Sequence, residues 1–245
     1  MTGSPLSPAP PSGLGHRRVE PELMDDPSLG ERDHRRALRA LARVHRLSGT
    51  GLRIRRVLDQ LAGEGAEGRP LRVLDVACGG GDAALDVARW ARGSSRTVEV
   101  TALDLSPAAL RFAEERAQRA GLEVAWLEAD ALSGLPDGPF DLAISSLFLH
   151  HLAEAQVVAL LGALRARTGR LHIEDLRRSR LGLALAWGTL RLVSRSRVAH
   201  VDGPRSVRAA WSRAELAALA ERSGLTGARV RWGWPERWVL DWAAP

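Results

Sequence analysis

Apolar positions along the chain follow two rhythms, and their alternation predicts the architecture. Short apolar runs of strand length occur at 73–76, 98–103, 124–127, 140–146 and 170–174. Between them the spacing changes to i, i+3, i+4, as in Ala84, Leu85, Val87, Ala88 and Ala91, which is the pattern of an amphipathic helix. Strands alternating with helices predict an α/β chain with a mostly parallel sheet. Two further segments, 227–233 and 236–242, straddle Pro235 and read as an antiparallel strand pair closing the sheet. Ahead of the first strand, Ser28-Leu-Gly-Glu31 is a capping-box pattern before a helix with Leu38, Leu41, Ala42 and Val44. A second helix after Thr50 carries Leu52, Ile54, Val57, Leu58 and Leu61. Ser106 and Pro107 suit the cap and first position of the helix after the second strand, and Ser212 precedes a helix over 214–222.

These patterns divide the chain into a Pro-, Ser- and Gly-rich stretch over 1–20, read as a disordered tail, and one domain over 21–245. Within the domain, 21–68 are helices preceding the sheet and 176–210 are an insertion after strand five. The insertion holds an apolar helix, 181–193, with Leu181, Leu183, Leu185, Trp187 and Leu190 flanked by arginines. It is too short to cross a membrane. It reads as a lid, a pocket wall, an interfacial helix or plain core.

Composition changes this picture only a little. Hydrophobic content of 45% and charged content of 26% suit a globular chain. Every basic residue is arginine, and a net charge of +6 favours acidic partners or anionic membranes without choosing between them. A single cysteine excludes an intrachain disulfide and fits a reducing compartment, read here as the cytoplasm. No apolar stretch of signal-peptide length is seen near the N-terminus.

The chemistry begins at residues 72–82, Arg-Val-Leu-Asp-Val-Ala-Cys-Gly-Gly-Gly-Asp, where a strand turns through three glycines into a helix. Such a corner lets a ligand approach the backbone and offers it free N–H groups. Gly79, Gly81 and Ala84 fit the dinucleotide pattern G-x-G-x-x-A. Asp75, four residues before Gly79, argues the other way, because a carboxylate repels a pyrophosphate and attracts an ammonium. Asp104, 23 residues beyond Gly81, stands where a carboxylate meets ribose hydroxyls.

Asp75-Val-Ala-Cys-Gly79-Gly-Gly81 resembles the first motif of class I S-adenosylmethionine-dependent methyltransferases, D/E-x-G-x-G-x-G, with Ala77 in place of the first glycine. Three later segments resemble further motifs in order: Asp104-Leu105, Asp130-Ala131, and Ser146 leading into Leu147-Phe148-Leu149-His150-His151-Leu152. The resemblance implies a three-layer Rossmann-like fold. Its seven-stranded, mostly parallel sheet would end in an antiparallel strand, with N-terminal cover helices and the insertion added. It also implies S-adenosylmethionine as cofactor, with Asp75, Ala77, Gly79 and Gly81 at the corner. Asp104 and Leu105 would lie at the ribose, Asp130 and Ala131 at the adenine, and Ser146 beside the methyl. Val44-His45-Arg46-Leu47 resembles a segment of ubiquinone- and menaquinone-biosynthesis methyltransferases, implying Arg46 at the cofactor carboxylate; a solvated helix face is the other reading. The Arg177-Arg-Ser-Arg and His200-Val-Asp-Gly-Pro-Arg-Ser blocks resemble a bacterial group that accompanies type III polyketide synthases. That implies O-methylation of a phenolic or quinol acceptor with a hydrophobic tail.

A phenol with a pKa of about 10 needs a base at neutral pH. The candidates are His150 and His151, after strand four, of which only one is expected to face the pocket, and His200, in a polar knot over 200–206 where Asp202 either orients it or shapes a turn at Gly203-Pro204. No recognised ligand spacing joins them with Asp175 and Asp202, so no metal is assigned. Two other functions remain open. Arginines suit a nucleic-acid methyltransferase, but Ser145-Ser146-Leu147-Phe148 lacks the Asn/Asp-Pro-Pro-aromatic box of such amino-methylating enzymes, and no nucleic acid is expected. The glycine corner also suits a nicotinamide-dependent oxidoreductase. Expected partners are a small hydrophobic aromatic or quinone-type substrate and a membrane surface touched through 177–197.

Overall fold

The computed structural model describes residues 13–64, 69–94 and 96–245. Two helices, α1 (Glu31–Leu47) and α2 (Thr50–Gly63), precede the sheet. Then β1 (Leu71–Val76), α3 (Asp82–Gly93), β2 (Val98–Asp104), α4 (Pro107–Ala120) and β3 (Ala125–Glu128) form one half. The other half contains β4 (Leu142–Ser146), α5 (Glu154–Arg165), β5 (Arg170–Leu176), α6 (Arg180–Val193) and α7 (Arg197–Ala209). The chain closes with α8 (Arg213–Arg222), β6 (Arg229–Gly233) and β7 (Arg237–Ala243). The strand order is β3-β2-β1-β4-β5-β7-β6, and β7 runs antiparallel to both its neighbours. This is the expected three-layer α/β fold.

The central strands are apolar at nearly every position because both faces of the sheet are covered. Successive side chains point to opposite faces. Val73, Ala102, Leu142 and Ile144 pack under Ile54 and Leu58 of α2 and Ala83, Ala84 and Val87 of α3. Leu74, Val76, Leu103 and Ala143 pack on the other side, against Leu160 and Leu161 of α5 and Leu216 and Leu219 of α8. A buried ion pair fixes α2 to the sheet: Arg53 donates to both oxygens of Glu174 at 2.6 Å, and Thr50 Oγ1 donates at 2.9 Å. Arg53 and His172 hold the Glu174 carboxyl below its ordinary range against the opposing effect of burial.

Three local expectations are corrected. Ser28 does not form a capping box. Its N–H and Oγ both donate to Asp26, and Gly30 stands at the N-cap of α1. The sequence 200–206 is no polar knot. Ser196 caps a helix that runs through Gly203-Pro204 to Ala209, because Val198, Ala199, Val207 and Ala209 bury one of its faces. Gly203 permits this packing, since a Cβ there would lie 2.2 Å from Leu190 Cδ1 of α6. Of the tail over 1–20, residues 1–12 lie outside the described residues. Arg17 is held in place, donating to the carbonyls of Leu152 and Ala209 at 2.7 and 2.5 Å and lying 3.8 Å from the Trp211 ring centre. A guanidinium stacked on an aromatic face and bonded to buried carbonyls outweighs the disorder that the composition suggests.

Candidate active site

Going from β3 to β4 the chain crosses to the far side of β1, and a crevice opens at the carboxyl ends of β1 and β4, as in any doubly wound sheet. Acidic residues stand at these strand ends: Asp75 in β1, Asp104 in β2, Asp130 beyond β3 and Asp175 in β5. The first three line a cavity of about 1080 Å³, and Asp175 lies behind His150. Asp75, Ala77, Gly79, Asp104, Leu105, Asp130, Ala131, Ser146, His150 and His151, all anticipated in the sequence, line the cavity.

The corner itself is a tight turn. Gly81 N–H donates to Cys78 O at 2.8 Å, and Cys78 N–H donates to Leu103 O at 2.9 Å. Gly79 and Gly81 have φ of 52° and 75°. Gly81 must also be small, because a Cβ would sit 2.8 Å from Ala113 Cβ and the Trp126 ring. Gly81 is the N-cap of α3 and lies behind the cavity wall rather than on it. Ala77 has φ 55°, which explains why the resembling motif carries glycine at this place. A left-handed alanine costs roughly 1–2 kcal/mol, partly offset by the greater unfolded-chain entropy of glycine. Ala77→Gly is therefore expected to leave stability unchanged or raise it by up to about 1 kcal/mol, read from the urea midpoint. A loss above about 1 kcal/mol contradicts the strain at Ala77.

The carboxylates hold this corner. Asp75 Oδ2 accepts from Ala84 N–H in the first turn of α3 at 2.9 Å. Burial, with Asp104 and Asp82 nearby, pushes its carboxyl up to about 8 despite that bond. Asp104 accepts from Gly79 N–H at 2.7 Å and from Ser106 N–H at 2.9 Å, and burial raises it as well. Such a site favours a cation, which would ionise Asp75. Asp130 accepts from Leu132 N–H and Ser133 Oγ, which hold it below its ordinary range.

Beyond β4 lies a second polar cluster. His150 is 2% exposed; its Nδ1–H donates to Asp175 Oδ1 at 2.7 Å and its backbone N–H to Asp175 Oδ2 at 2.8 Å. Burial alone would lower the imidazole, but Asp175 and Glu22 outweigh it and push it up to about 9. The His151 ring lies 4.3 Å from that of His150, so both adjacent histidines reach the cavity. The expectation that only one faces it is corrected: a 3-10 turn over Leu149–His151 brings the two rings together.

Arg46 and His200 do not reach the cavity. Arg46 is exposed on α1 and donates weakly to Ala42 O at 3.4 Å, the solvated-face alternative. His200 Nε2 faces the carbonyls of Leu190 and Ser194 at 3.1 and 2.9 Å, where it ties α7 to the end of α6. Asp202 does not orient it, since its carboxylate accepts from Leu23 N–H and Met24 N–H.

Among the cavity residues that escaped sequence reasoning are Glu22, His34 and Arg237, and the role of Asp175 behind His150 escaped it too. Glu22 stands 128 residues before His150, and no spacing signals it. Asp175 repeats the strand-end acid of β1 and β2, a signal that was available. Arg237 is 2% exposed, and its Nη1 has no partner among the described residues.

The inner face of α6 completes the cavity with Gly182, Leu185, Ala186, Thr189 and Leu190. This helix is therefore a pocket wall and not plain core. Its outer face leaves Leu181, Trp187 and Leu192 exposed, with Arg191 stacked 4.1 Å from the Trp187 ring centre.

Residues 73–168, which hold the corner and the first four strand ends, match the family model described as a methyltransferase domain. Over these residues the chain is thus similar to a methyltransferase domain. Two chains of similar fold, each at 17% identity and TM-score 0.54, were solved with S-adenosylhomocysteine bound, which marks S-adenosylmethionine as the cofactor such domains take. The chain is 41% identical over 107 residues to a demethylmenaquinone methyltransferase of Thermus thermophilus, covering 43% of this chain and 46% of that protein. It is 32% identical over 119 residues to a ubiquinone biosynthesis O-methyltransferase of a Caulobacter species, covering 47% and 45%. The matches thus span about half the length of these relatives. In fold, the methyltransferase domain and its surroundings resemble a crystallised candidate O-methyltransferase of Nostoc punctiforme. The TM-score is 0.60 at 17% identity, covering 85% of this chain and 60% of that one.

Proposed function

We propose that the chain transfers the methyl group of S-adenosylmethionine to a hydroxyl oxygen of a small hydrophobic phenolic or quinol acceptor. The observation that carries this reading is one cavity lined both by the glycine corner and by the apolar face of α6. In this reading Asp104 and Leu105 meet the ribose, and Asp130 and Ala131 meet the adenine. Asp75, Ala77, Gly79 and Gly81 shape the corner, and Ser146 borders the methyl. Asp75 suits the cofactor's cationic end, where burial otherwise makes its ionisation costly. The names of the two quinone-pathway relatives and the polyketide-associated sequence blocks support a lipid-like aromatic acceptor.

The chemistry asks little of the protein beyond positioning. The acceptor oxygen attacks the methyl carbon in line, the carbon–sulfur bond breaks, and its electron pair stays on sulfur. The hydroxyl proton must also leave, and Glu22, His150 and His151 form the polar end of the cavity that handles it. Outside the cavity, the exposed Leu181, Trp187 and Leu192 beside arginines suit contact with an anionic lipid surface. No described helix is long and apolar enough to cross a membrane.

The test is a radiolabelled methyl-transfer assay over alkylphenols and alkylquinols of increasing chain length, beside a titration with S-adenosylhomocysteine and a reduced dinucleotide. Product on the oxygen and tighter binding of S-adenosylhomocysteine are expected. Leu185→Asp, on the inner face of α6, is expected to reduce kcat/KM for long-chain acceptors at least ten-fold, since fully burying such a side chain is worth about 1.5–3 kcal/mol. Short-chain acceptors should change less than three-fold. Equal losses for both would overturn the tail pocket, and no transfer to any phenol or quinol would overturn the acceptor class.

A further inference from the structure

We propose that Glu22, His150 and His151 bind a divalent transition-metal ion at the polar end of the cavity, with coordination positions left open toward the acceptor. One ligand atom from each residue lies within 4.8 Å of the other two. His150 Nε2 is 3.7 Å from Glu22 Oε1, and His151 Nε2 is 4.0 Å from Glu22 Oε2. Both gaps are too long for hydrogen bonds. Three atoms no more than 4.8 Å apart share a point at most about 2.8 Å from each, against zinc–nitrogen bonds of about 2.0–2.1 Å, so side-chain shifts of under about 1 Å suffice.

The orientation of the rings supports the same conclusion independently. Each Nδ1 faces a carboxylate, His150 with Asp175 at 2.7 Å and His151 with Asp25 at 3.5 Å. A metal-binding histidine characteristically donates its other ring N–H to a carboxylate, which aims the second nitrogen at the ion; at His150 the ion would displace the proton held there. Glu22 is fixed too. Ser206 Oγ donates to it at 2.5 Å, and the following backbone N–H groups of Leu23 and Met24 are bonded to Asp202. Two imidazoles favour zinc, cobalt, iron or nickel over magnesium, calcium and manganese. Three protein ligands leave room for an exogenous oxygen, as in catalytic rather than structural sites.

This deepens the proposed methyl transfer and rests on it for its chemistry. A bound ion would make an acceptor hydroxyl more acidic, so Glu22, His150 and His151 would handle its proton through the ion they hold, the proton itself leaving to water as the oxygen takes the methyl. The binding itself can be tested without any acceptor. Chelator-treated protein is titrated with Co²⁺ and with Zn²⁺, by calorimetry for both and by visible absorption for Co²⁺. One equivalent is expected to bind, with cobalt bands that shift when a catechol is added. Glu22→Gln and His151→Gln should each weaken it ten- to a hundred-fold while still binding S-adenosylhomocysteine, which shows that they fold. His16→Gln, at an exposed histidine, should leave it unchanged. Absence of stoichiometric binding, or equal affinity in both site variants, overturns the proposal. Metal binding without transfer to phenols or quinols would leave the site standing and sink only the acceptor reading. Undiminished transfer by protein that binds no ion would do the reverse.

Discussion

Replacing His150 by Gln is expected to lower turnover about 10²–10⁴-fold while S-adenosylhomocysteine affinity stays within about three-fold, the signature of losing a group that manages a proton in the transition state. The geometry explains why His150 should matter more than the other histidines. It is buried at the carboxyl end of β4, bonded to Asp175 through both its ring and its backbone N–H, and faces Glu22. The backbone bond survives the substitution, so Asp175 keeps donors from residues 150 and 176. The matched control is His200→Gln, expected to keep turnover within about two-fold, because that ring is held by carbonyls at the end of α6. Rapid-quench turnover and calorimetric affinity together decide the matter. A His150 variant with unchanged turnover, or a His200 variant with the large loss, would sink the assignment.

Replacing Asp104 by Ala is expected to reduce S-adenosylhomocysteine affinity by one to two orders of magnitude. A hydrogen bond to a charged group is worth about 1.5–3 kcal/mol, and this carboxylate stands where ribose hydroxyls are expected. The structure adds a second contribution. Asp104 also anchors Gly79 N–H and Ser106 N–H, so its loss frees the glycine turn and leaves buried donors unpaired. A fall in the melting temperature should accompany the loss of affinity. Asp104→Asn retains one acceptor oxygen and should recover part of the stability but less of the affinity. An unchanged affinity in folded Asp104→Ala would refute the ribose assignment.

The sequence by itself determined the sheet and the corner, because their signals are local. A strand buried on both faces must be apolar throughout, and a turn with positive φ must carry glycine or pay in strain. Val73-Leu74, Gly79 and Gly81 therefore announced themselves, as did the acids at strand ends and the Ser106 and Ser212 caps. Where only a local signal was available and tertiary contacts opposed it, the reading failed. Gly203-Pro204 reads as a turn, yet the apolar face of α7 and the close approach of Leu190 hold it helical. Ser28-x-x-Glu31 reads as a capping box, yet Asp26 captures Ser28 first.

The polar end of the cavity was decided by the tertiary structure alone. Glu22 reaches His150 because Asp202 pins the chain after Glu22 to α7 and Arg17 grips the loop after His150. Asp175 reaches His150 because β5 lies beside β4. Such partners come together through sheet order and helix docking, which depend on the summed packing of the whole domain, so no spacing along the chain records them. The same packing carries His200 and Arg46 away from the cavity: α7 turns the first toward the end of α6, and α1 turns the second to solvent.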